Sequence, residues 1–481
     1  MKKEIFGFIG TFFLVAIALG SDKEGETLVN DSRAMFDPGL TYTDHNPDGS
    51  EIIISRSRYM EQVQGFWLAQ CIANWTGLIT EMDRVGPPFY TDDDWGKADE
   101  RNIWGYYGPS PNGMIEYVFV REGDTWYSDD DTDIEYMYQH LLDLHDKSVL
   151  SPEQIRNGWL RHIHSNESAP NGENYLWESN EVAYYLMLDG VLPPATSEPA
   201  NNPKYKMIDA QLTTEIFGLF SPARPDIALN MAHLPIRATA KDDAEWVAKF
   251  YVVMYSLASY VESGLSMREK VFWLAERARD ILPAGSFVAG MYDHIRANYD
   301  HNPDKTDWES TRDDIYSVYQ KGSADGYVYD QPFDAGINFA SSLVSLFYGE
   351  GDLLRTIRIG VLAGWDSDNP TATWGGLLGF LLGQDGVEKV FNEYDFSDTY
   401  WIHRTRRNFP DRTTGIDGED TFRSMSERCI YIIDRVVMEE MGGGVDLEKD
   451  VWYIPDSCLL YTSAAADERS SVDLGGRRII K

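Results

Sequence analysis

Two aspartates one residue apart, Asp366 and Asp368, are the side chains of this sequence whose spacing most directly suggests chemistry. They lie in the stretch GWDSDNPTATWGGLLGFLLG, residues 364–383, between two segments that both have the pattern of a buried helix. Two carboxylates held this close repel one another unless they are capped, protonated or bridged by a cation. The spacing alone leaves helix capping and metal ligation open, and capping is the commoner role of an aspartate before a proline.

The pattern around the pair predicts two helices joined by a turn at the rim of a helical core. Residues 352–363 repeat apolar side chains at helical spacing, and the repeat stops at Gly364. Pro370 suits the start of a second helix, and either residue before it can cap the free amides. Glycine weakens a helix by about 1 kcal/mol relative to alanine, so the glycines between 375 and 383 predict that another backbone approaches closely.

A second acidic group, Asp129-Asp130-Asp131, precedes an amphipathic helix that begins at Thr132. The positive end of the helix dipole stabilises negative charge there, and neighbouring acids can also converge on a cation. A capping cluster on an exposed helix is the alternative. Glu81 ends a further apolar helical stretch that begins near Tyr59, and by itself it has the pattern of a solvated helix end.

Composition limits the kinds of partner. The formal net charge of −36 disfavours nucleic acid and favours cations, because an acidic surface repels phosphate backbones. A chain of 481 residues with 43% hydrophobic side chains is long and apolar enough to fold as a globular protein. Its three cysteines suggest neither a disulfide framework nor a CxxC metal site.

The two ends of the chain differ from its middle in sequence pattern. Residues 1–20 have the pattern of a signal peptide, which predicts export to the periplasm or the extracellular space and no membrane span after cleavage. A single-pass membrane anchor is the alternative, although the apolar run is short for a span. Residues 21–56 are predicted to form an irregular N-terminal arm. Residues 458–481 resemble translated sequencing-adapter DNA and are predicted not to be native.

Residues 57–457 are predicted to form one large all-α helical bundle domain with loop insertions. Apolar residues recur mainly at helical spacing, and no internal repeat is evident. Strand signals are weak and confined to residues 51–55 and 117–120. Trp365, beside the aspartate pair, either packs in the core or stacks on a ligand ring.

Three segments in the same order resemble the motifs of the ADP-ribosylglycohydrolase family, which includes the dinitrogenase reductase-activating glycohydrolases. Residues 74–81, NWTGLITE, look like that family's GDxxGxxxE motif. Residues 129–132, DDDT, look like its (T/S)DDT motif, and residues 364–369, GWDSDN, look like its GxDxDT motif. The resemblance spans roughly residues 57 to 390.

The resemblance implies an all-α fold whose central cleft holds two Mg²⁺ ions, or Mn²⁺ in some members. It implies that the residues around these ions have two kinds of role. Glu81 and Asp131 would be catalytic, and the metal ligands would be Asp129, Asp130, Asp131, Asp366, Asp368 and Asn369. Three positions depart from the family pattern: Asn74 replaces an acid, Asp129 replaces a hydroxyl residue, and Asn369 replaces a threonine.

The resemblance therefore predicts a magnesium-dependent glycoside hydrolase that cleaves an N- or O-glycosidic bond to ADP-ribose or a related ribosyl or sugar substrate. Its partners would be a small molecule or an ADP-ribosylated protein, and no nucleic acid. Two alternatives stay open: a metal-independent glycosidase that uses two carboxylates, and a catalytically inactive exported protein that keeps the fold for binding or structure. The oligomeric state does not follow from the sequence.

Overall fold

Helices account for most of the regular structure of this chain. The computed structural model describes residues 35–392 and 395–456. The predicted signal peptide of residues 1–20, the first part of the predicted arm and the adapter-like residues 458–481 lie outside the described residues. Within the described part the chain forms fifteen α-helices and only short strands, which confirms the all-α fold class.

The α-helices are α1 (Arg56–Gly77), α2 (Asp130–His145), α3 (Pro152–His162), α4 (Glu178–Leu188), α5 (Ile216–Leu219), α6 (Pro225–Thr239), α7 (Asp243–Ala258), α8 (Met267–Arg279), α9 (Phe287–His301), α10 (Glu309–Ile315), α11 (Ala335–Gly349), α12 (Leu353–Ala363), α13 (Asp368–Leu382), α14 (Gln384–Phe391) and α15 (Phe422–Glu439). No helix of the described residues is both long enough and apolar enough to cross a membrane.

The strands form two small sheets. They are β1 (Ile52–Ser55), β2 (Thr399–Trp401), β3 (Glu419–Thr421), β4 (Gly444–Asp446) and β5 (Val451–Ile454). One antiparallel sheet has the order β1-β5-β4, and β2 pairs antiparallel with β3. The end of the predicted arm therefore forms β1, whereas the apolar run at residues 117–120 has no strand partner and belongs to a connecting segment.

Helices α1 and α13 form a close contact at the centre of the core. A Cβ atom on Gly379 would lie 2.3 Å from the carbonyl oxygen of Gly65, and one on Gly375 would lie 2.7 Å from that of Ala69. Side chains larger than hydrogen do not fit at these distances. The prediction that glycines in this helix allow another backbone to approach is confirmed, and that backbone is α1.

Replacing Gly379 with alanine is expected to destabilise the protein by about 1–3 kcal/mol, because the new methyl group meets rigid backbone atoms rather than a flexible side chain. The free energy of unfolding from urea titration measures this loss. Gly264→Ala is the matched control, since a Cβ at Gly264 would contact nothing within 4 Å. Equal stability of the two variants would contradict the proposed role of the close helix contact.

Backbone conformation and hydrogen bonds of Trp365 hold the turn between α12 and α13 in place. Gly364 and Trp365 both have positive φ, +100° and +59°, so the chain reverses sharply before α13 begins. The Trp365 amide donates to the Arg84 carbonyl (2.8 Å), and the Trp365 carbonyl accepts from the Met82 amide (2.9 Å). The Trp365 ring is fully buried, and its indole N–H donates to Gln320 (2.7 Å). Trp365 is thus a core residue, and the possibility that it stacks on a ligand is excluded.

Candidate metal centre

The acidic residues singled out from three distant segments meet at one cleft. Glu81 lies in the turn after α1, Asp129 to Asp131 lie at the start of α2, Asp366 lies in the turn before α13, and Asp368 is the first residue of α13. The cleft has an empty volume of about 350 Å³, including the space at its open mouth. Two hydrogen-bonded turns, from residues 78–83 and 364–367, bring Glu81 beside the aspartate pair.

The carboxylates form two groups that share Asp368. Oxygens of Glu81, Asp366 and Asp368 lie within 4.8 Å of one another, and so do oxygens of Asp129, Asp131 and Asp368. The aspartates are buried, with 3–7% of each residue exposed, and Glu81 is partly exposed. Asp368 therefore occupies the centre of the arrangement, and Glu81 lies closest to solvent.

Capping does not account for Asp368. The residue that precedes α13 is Ser367, whose side chain makes no capping hydrogen bond and donates instead to the Gly77 carbonyl (2.9 Å). The Oδ1 atom of Asp368 is buried and accepts no hydrogen bond from the described chain. A buried carboxylate oxygen without a donor is costly unless it carries a proton or meets a cation.

The electrostatics of the cleft also favour a bound cation. Burial raises the pKa of Asp131 and of Asp366 well above the usual range, and the neighbouring Asp368 charge raises both further. Burial also raises the pKa of Glu81, with Asp366 the next largest cause. Glu81, Asp131 and Asp366 thus resist ionisation because burial disfavours their charge and because their neighbours are acids, and a bound cation would relieve this repulsion.

Two of the three departures from the family pattern lie in contact. The Asn74 side-chain amide donates to Asp129 Oδ1 (3.0 Å), and the Asn74 carbonyl oxygen accepts from the Ser128 hydroxyl (2.8 Å). An amide at position 74 can donate to the carboxylate at position 129, whereas two ionised acids there would repel. The two substitutions compensate each other, because one acid is lost and another is gained across a single hydrogen bond.

The third departure, Asn369, also orients a predicted ligand. Its amide donates to Asp131 Oδ1 (3.3 Å), and its carbonyl oxygen accepts from Gln211 (3.0 Å). The side-chain carbonyl oxygen of Asn369 therefore has one lone pair left that could bind an ion. The role of Asn369 as a metal ligand stays a prediction.

Asp130 is held by residues that sequence reasoning missed. Asn180, near the start of α4, donates to Asp130 Oδ2 (3.1 Å). Asp209 in turn accepts hydrogen bonds from the Asn180 backbone amide (2.9 Å) and from the Ser179 hydroxyl (2.6 Å). Burial raises the pKa of Asp209 to about 6. Neither carboxylate group at 4.8 Å includes Asp130, so its ligand role also stays a prediction. Asp209 belongs to none of the motifs in the sequence, and its pattern gave no signal of a site.

The donor set suits a hard divalent cation. All the converging side chains offer carboxylate or amide oxygen, the ligands that Mg²⁺, Mn²⁺ and Ca²⁺ prefer, and no described histidine or cysteine lines the cleft. The two groups sharing Asp368 have the form expected of two adjacent ion sites. The unpaired Asp368 oxygen is the observation in this structure that best fits a bound ion.

Adding Mg²⁺ is expected to raise the thermal unfolding temperature by a few degrees, and more at about pH 8 than at about pH 5. The pKa values of these buried acids are raised in the folded state, so in the ion-free protein they cost stability as the pH rises through those values. Mg²⁺ competes with protons for the same oxygens, and its stabilisation therefore grows with pH. Scanning calorimetry with NaCl at matched ionic strength is the control. An equal Mg²⁺ shift at both pH values would contradict this reasoning.

Fold and site together define a class: an all-α protein with a buried carboxylate centre suited to hard cations. The family model for ADP-ribosylglycohydrolase matches residues 55–412, which contain every predicted site residue, and the chain belongs to this family. It is therefore a hydrolase, of the class of glycohydrolases that act on ADP-ribose-type substrates. The expected family resemblance is confirmed.

The comparison with solved structures finds 44 similar chains. A chain described as an ADP-ribosylglycohydrolase-related protein complex is 12% identical to this one, with a TM-score of 0.43, and the match covers 78% of this chain and 99% of that chain. A comparison with curated proteins gives no match.

Proposed function

We propose that this protein is a magnesium-dependent hydrolase of an N- or O-glycosidic bond to ADP-ribose or a related ribosyl substrate. The observation that carries the proposal is the meeting of two carboxylate groups at Asp368, one of whose buried oxygens has no hydrogen-bond donor. Asp129, Asp131 and Asp368 would hold one ion, and Asp366 and Asp368 the other. When bound, the ions would orient sugar hydroxyls and lower the pKa of the attacking water.

We assign proton transfer to Glu81. Its carboxyl group adjoins Asp366 and Asp368 yet is the most exposed of the group, so it can reach a substrate at the mouth of the cleft. Burial and the neighbouring acids raise its pKa, which moves it toward the range where one carboxyl group can both accept and donate a proton. Asp131 is the second candidate for this role, but it lies deeper and is already engaged by Asn369.

Hydrolysis of an ADP-ribosylated substrate with and without chelator tests the proposal. Mg²⁺ is expected to support release of ADP-ribose, and EDTA is expected to abolish it, with recovery on adding excess Mg²⁺. Hydrolysis that persists in EDTA would select a metal-independent carboxylate mechanism instead. Binding of Mg²⁺ and ADP-ribose without turnover of any tested glycoside would select an inactive binding protein.

We also propose that the protein acts outside the cytoplasm, on the pattern of residues 1–20. Fractionation of cells that express the full chain tests this, together with sequencing of the mature N-terminus, which is expected to be Ser21. A protein that keeps Met1 and remains in the cytoplasmic fraction would contradict export.

A further inference from the structure

Residues 402–406, which follow β2, are fastened to α2 by buried polar contacts. The Thr405 hydroxyl donates to Asp133 Oδ2, and the Arg406 guanidinium pairs with Oδ1 of the same carboxylate (2.9 Å). Both side chains of this ion pair are fully buried. Asp133 lies in α2, two residues after Asp131. The segment is therefore fixed relative to the helix that carries predicted metal ligands.

Arg406 also fixes a second part of the chain that borders the cleft. Its guanidinium donates to the backbone carbonyls of Asn174 (2.7 Å) and Tyr175 (3.0 Å). These two residues lead directly into Trp177, which lines the cleft and is 42% exposed. The segment of residues 402–406 thus holds the approach to Trp177 at a fixed position relative to the start of α2.

Arg404 lies between these two parts of the chain. Its guanidinium carbon is 4.1 Å from the centre of the Tyr127 ring and 5.2 Å from the centre of the Tyr175 ring. One guanidinium nitrogen donates to the backbone carbonyl of Ser128 (3.0 Å), the residue before Asp129. Asp129 lines the cleft. Two cation–π contacts and one hydrogen bond therefore hold the Arg404 side chain next to the cleft wall.

Arg404 has charge and hydrogen-bonding capacity that the described chain does not use. A guanidinium has five N–H donors, and among the described residues only the Ser128 carbonyl accepts a hydrogen bond from Arg404. Arg404 forms no ion pair with a described residue, although acids outnumber Lys and Arg in the chain by 78 to 42. Its side chain is only partly buried, so a ligand can approach it. Aromatic rings and a carbonyl orient this cation and leave its charge without a counter-charge.

We infer that Arg404 binds a phosphate group of the substrate at the α2 side of the cleft. This inference rests on the proposed function, whose named substrate, ADP-ribose, carries a diphosphate, and it adds a specificity-determining residue outside the three motifs. The planar fork of a guanidinium can donate to two phosphate oxygens at once. In this role Arg404 positions the substrate and takes no part in proton transfer, which is assigned to Glu81.

Titration calorimetry of ADP-ribose with Mg²⁺ present compares the wild-type protein with two variants. Arg404→Gln keeps a donor for the Ser128 carbonyl but removes the charge, and we expect it to weaken ADP-ribose binding about 10- to 100-fold. This difference in Kd should shrink as the salt concentration rises, because salt screens the lost charge interaction. Arg404→Lys keeps the charge but loses the planar fork, so its affinity should be intermediate.

Further measurements separate phosphate binding from a purely structural role of Arg404. Arg161→Gln is the matched control, since Arg161 is exposed on α3 and outside the cleft lining, and it should leave ADP-ribose binding unchanged. Mg²⁺ binding and the unfolding temperature of Arg404→Gln should stay close to those of the wild type. Wild-type ADP-ribose affinity in Arg404→Gln would overturn the inference, and so would a loss that is independent of salt or accompanied by loss of Mg²⁺ binding. If Arg404→Gln does not fold, wild-type affinity in Arg404→Lys would overturn it.

Failure of this inference can be told apart from failure of the proposed function. If the wild-type protein binds ADP-ribose and its hydrolysis depends on Mg²⁺ while Arg404→Gln binds equally well, the role of Arg404 is rejected and the hydrolase proposal stands. If the wild-type protein neither binds ADP-ribose nor releases it from any tested substrate, both proposals fail, and the wild-type measurements alone show this.

Discussion

Replacing Asp368 with asparagine is expected to lower kcat/KM by about 10²- to 10³-fold and to abolish measurable Mg²⁺ binding. Asp368 belongs to both carboxylate groups, so its loss affects both proposed ion sites at once. Asparagine keeps the shape of the side chain and removes only the charge. The fold should survive, because burial and then the charges of Glu81 and Asp129 raise the pKa of Asp368, and asparagine carries no charge for them to disfavour.

Steady-state kinetics and calorimetric Mg²⁺ titration measure the two losses. Asp93→Asn is the matched control, since Asp93 is exposed, is the middle residue of a second run of three aspartates at residues 92–94, and is not part of the cleft lining. Full Mg²⁺-dependent activity in Asp368→Asn would show that the shared carboxylate is not needed, and the metal mechanism would be rejected.

Replacing Glu81 with glutamine is expected to lower kcat by about 10²- to 10⁴-fold while Mg²⁺ binding persists. Glutamine cannot transfer a proton, but the group of Asp129, Asp131 and Asp368 is left intact. Measuring both kcat and Mg²⁺ binding tests this role of Glu81, because a purely structural role would lower the stability of the protein rather than kcat.

Two outcomes would contradict the role given to Glu81. Loss of Mg²⁺ binding in Glu81→Gln would make Glu81 a ligand, consistent with its place beside Asp366 and Asp368. Unchanged kcat would transfer the proton-transfer role to Asp131. Unfolding temperature with and without Mg²⁺ serves as the check on folding in either case.

Much of the local structure follows from the sequence because it depends on neighbours along the chain. Apolar spacing predicted the ends of α12 and the presence of α13, and both helices lie where expected. The glycines of α13 predicted a close backbone contact, and α1 provides it. The predicted cap was less accurate. Asp368 or Asn369 was expected to precede the helix, whereas Ser367 precedes α13 and Asp368 is its first residue.

Sequence patterns did not identify residues whose role depends on contacts with segments far away in the chain. Asn180 donates to Asp130 from 50 positions away in the chain, and Asp209 accepts from the Asn180 backbone amide from 29 positions further along. No motif marks either residue. The Asn74 and Asp129 departures look independent in the sequence, since 55 residues separate them. In the structure they share one hydrogen bond.

The sequence by itself determined the all-α fold and the family and predicted the acids proposed as metal ligands, because residue type and helical spacing are local properties. Only the tertiary structure decided which acids share a site, that Asp368 is their common member, and that Arg404 contacts the residue before Asp129. It also buried Trp365 in the core. Such outcomes depend on the packing of α1 against α13 and on the turns before Glu81 and Asp366, which bring together oxygens from segments hundreds of residues apart.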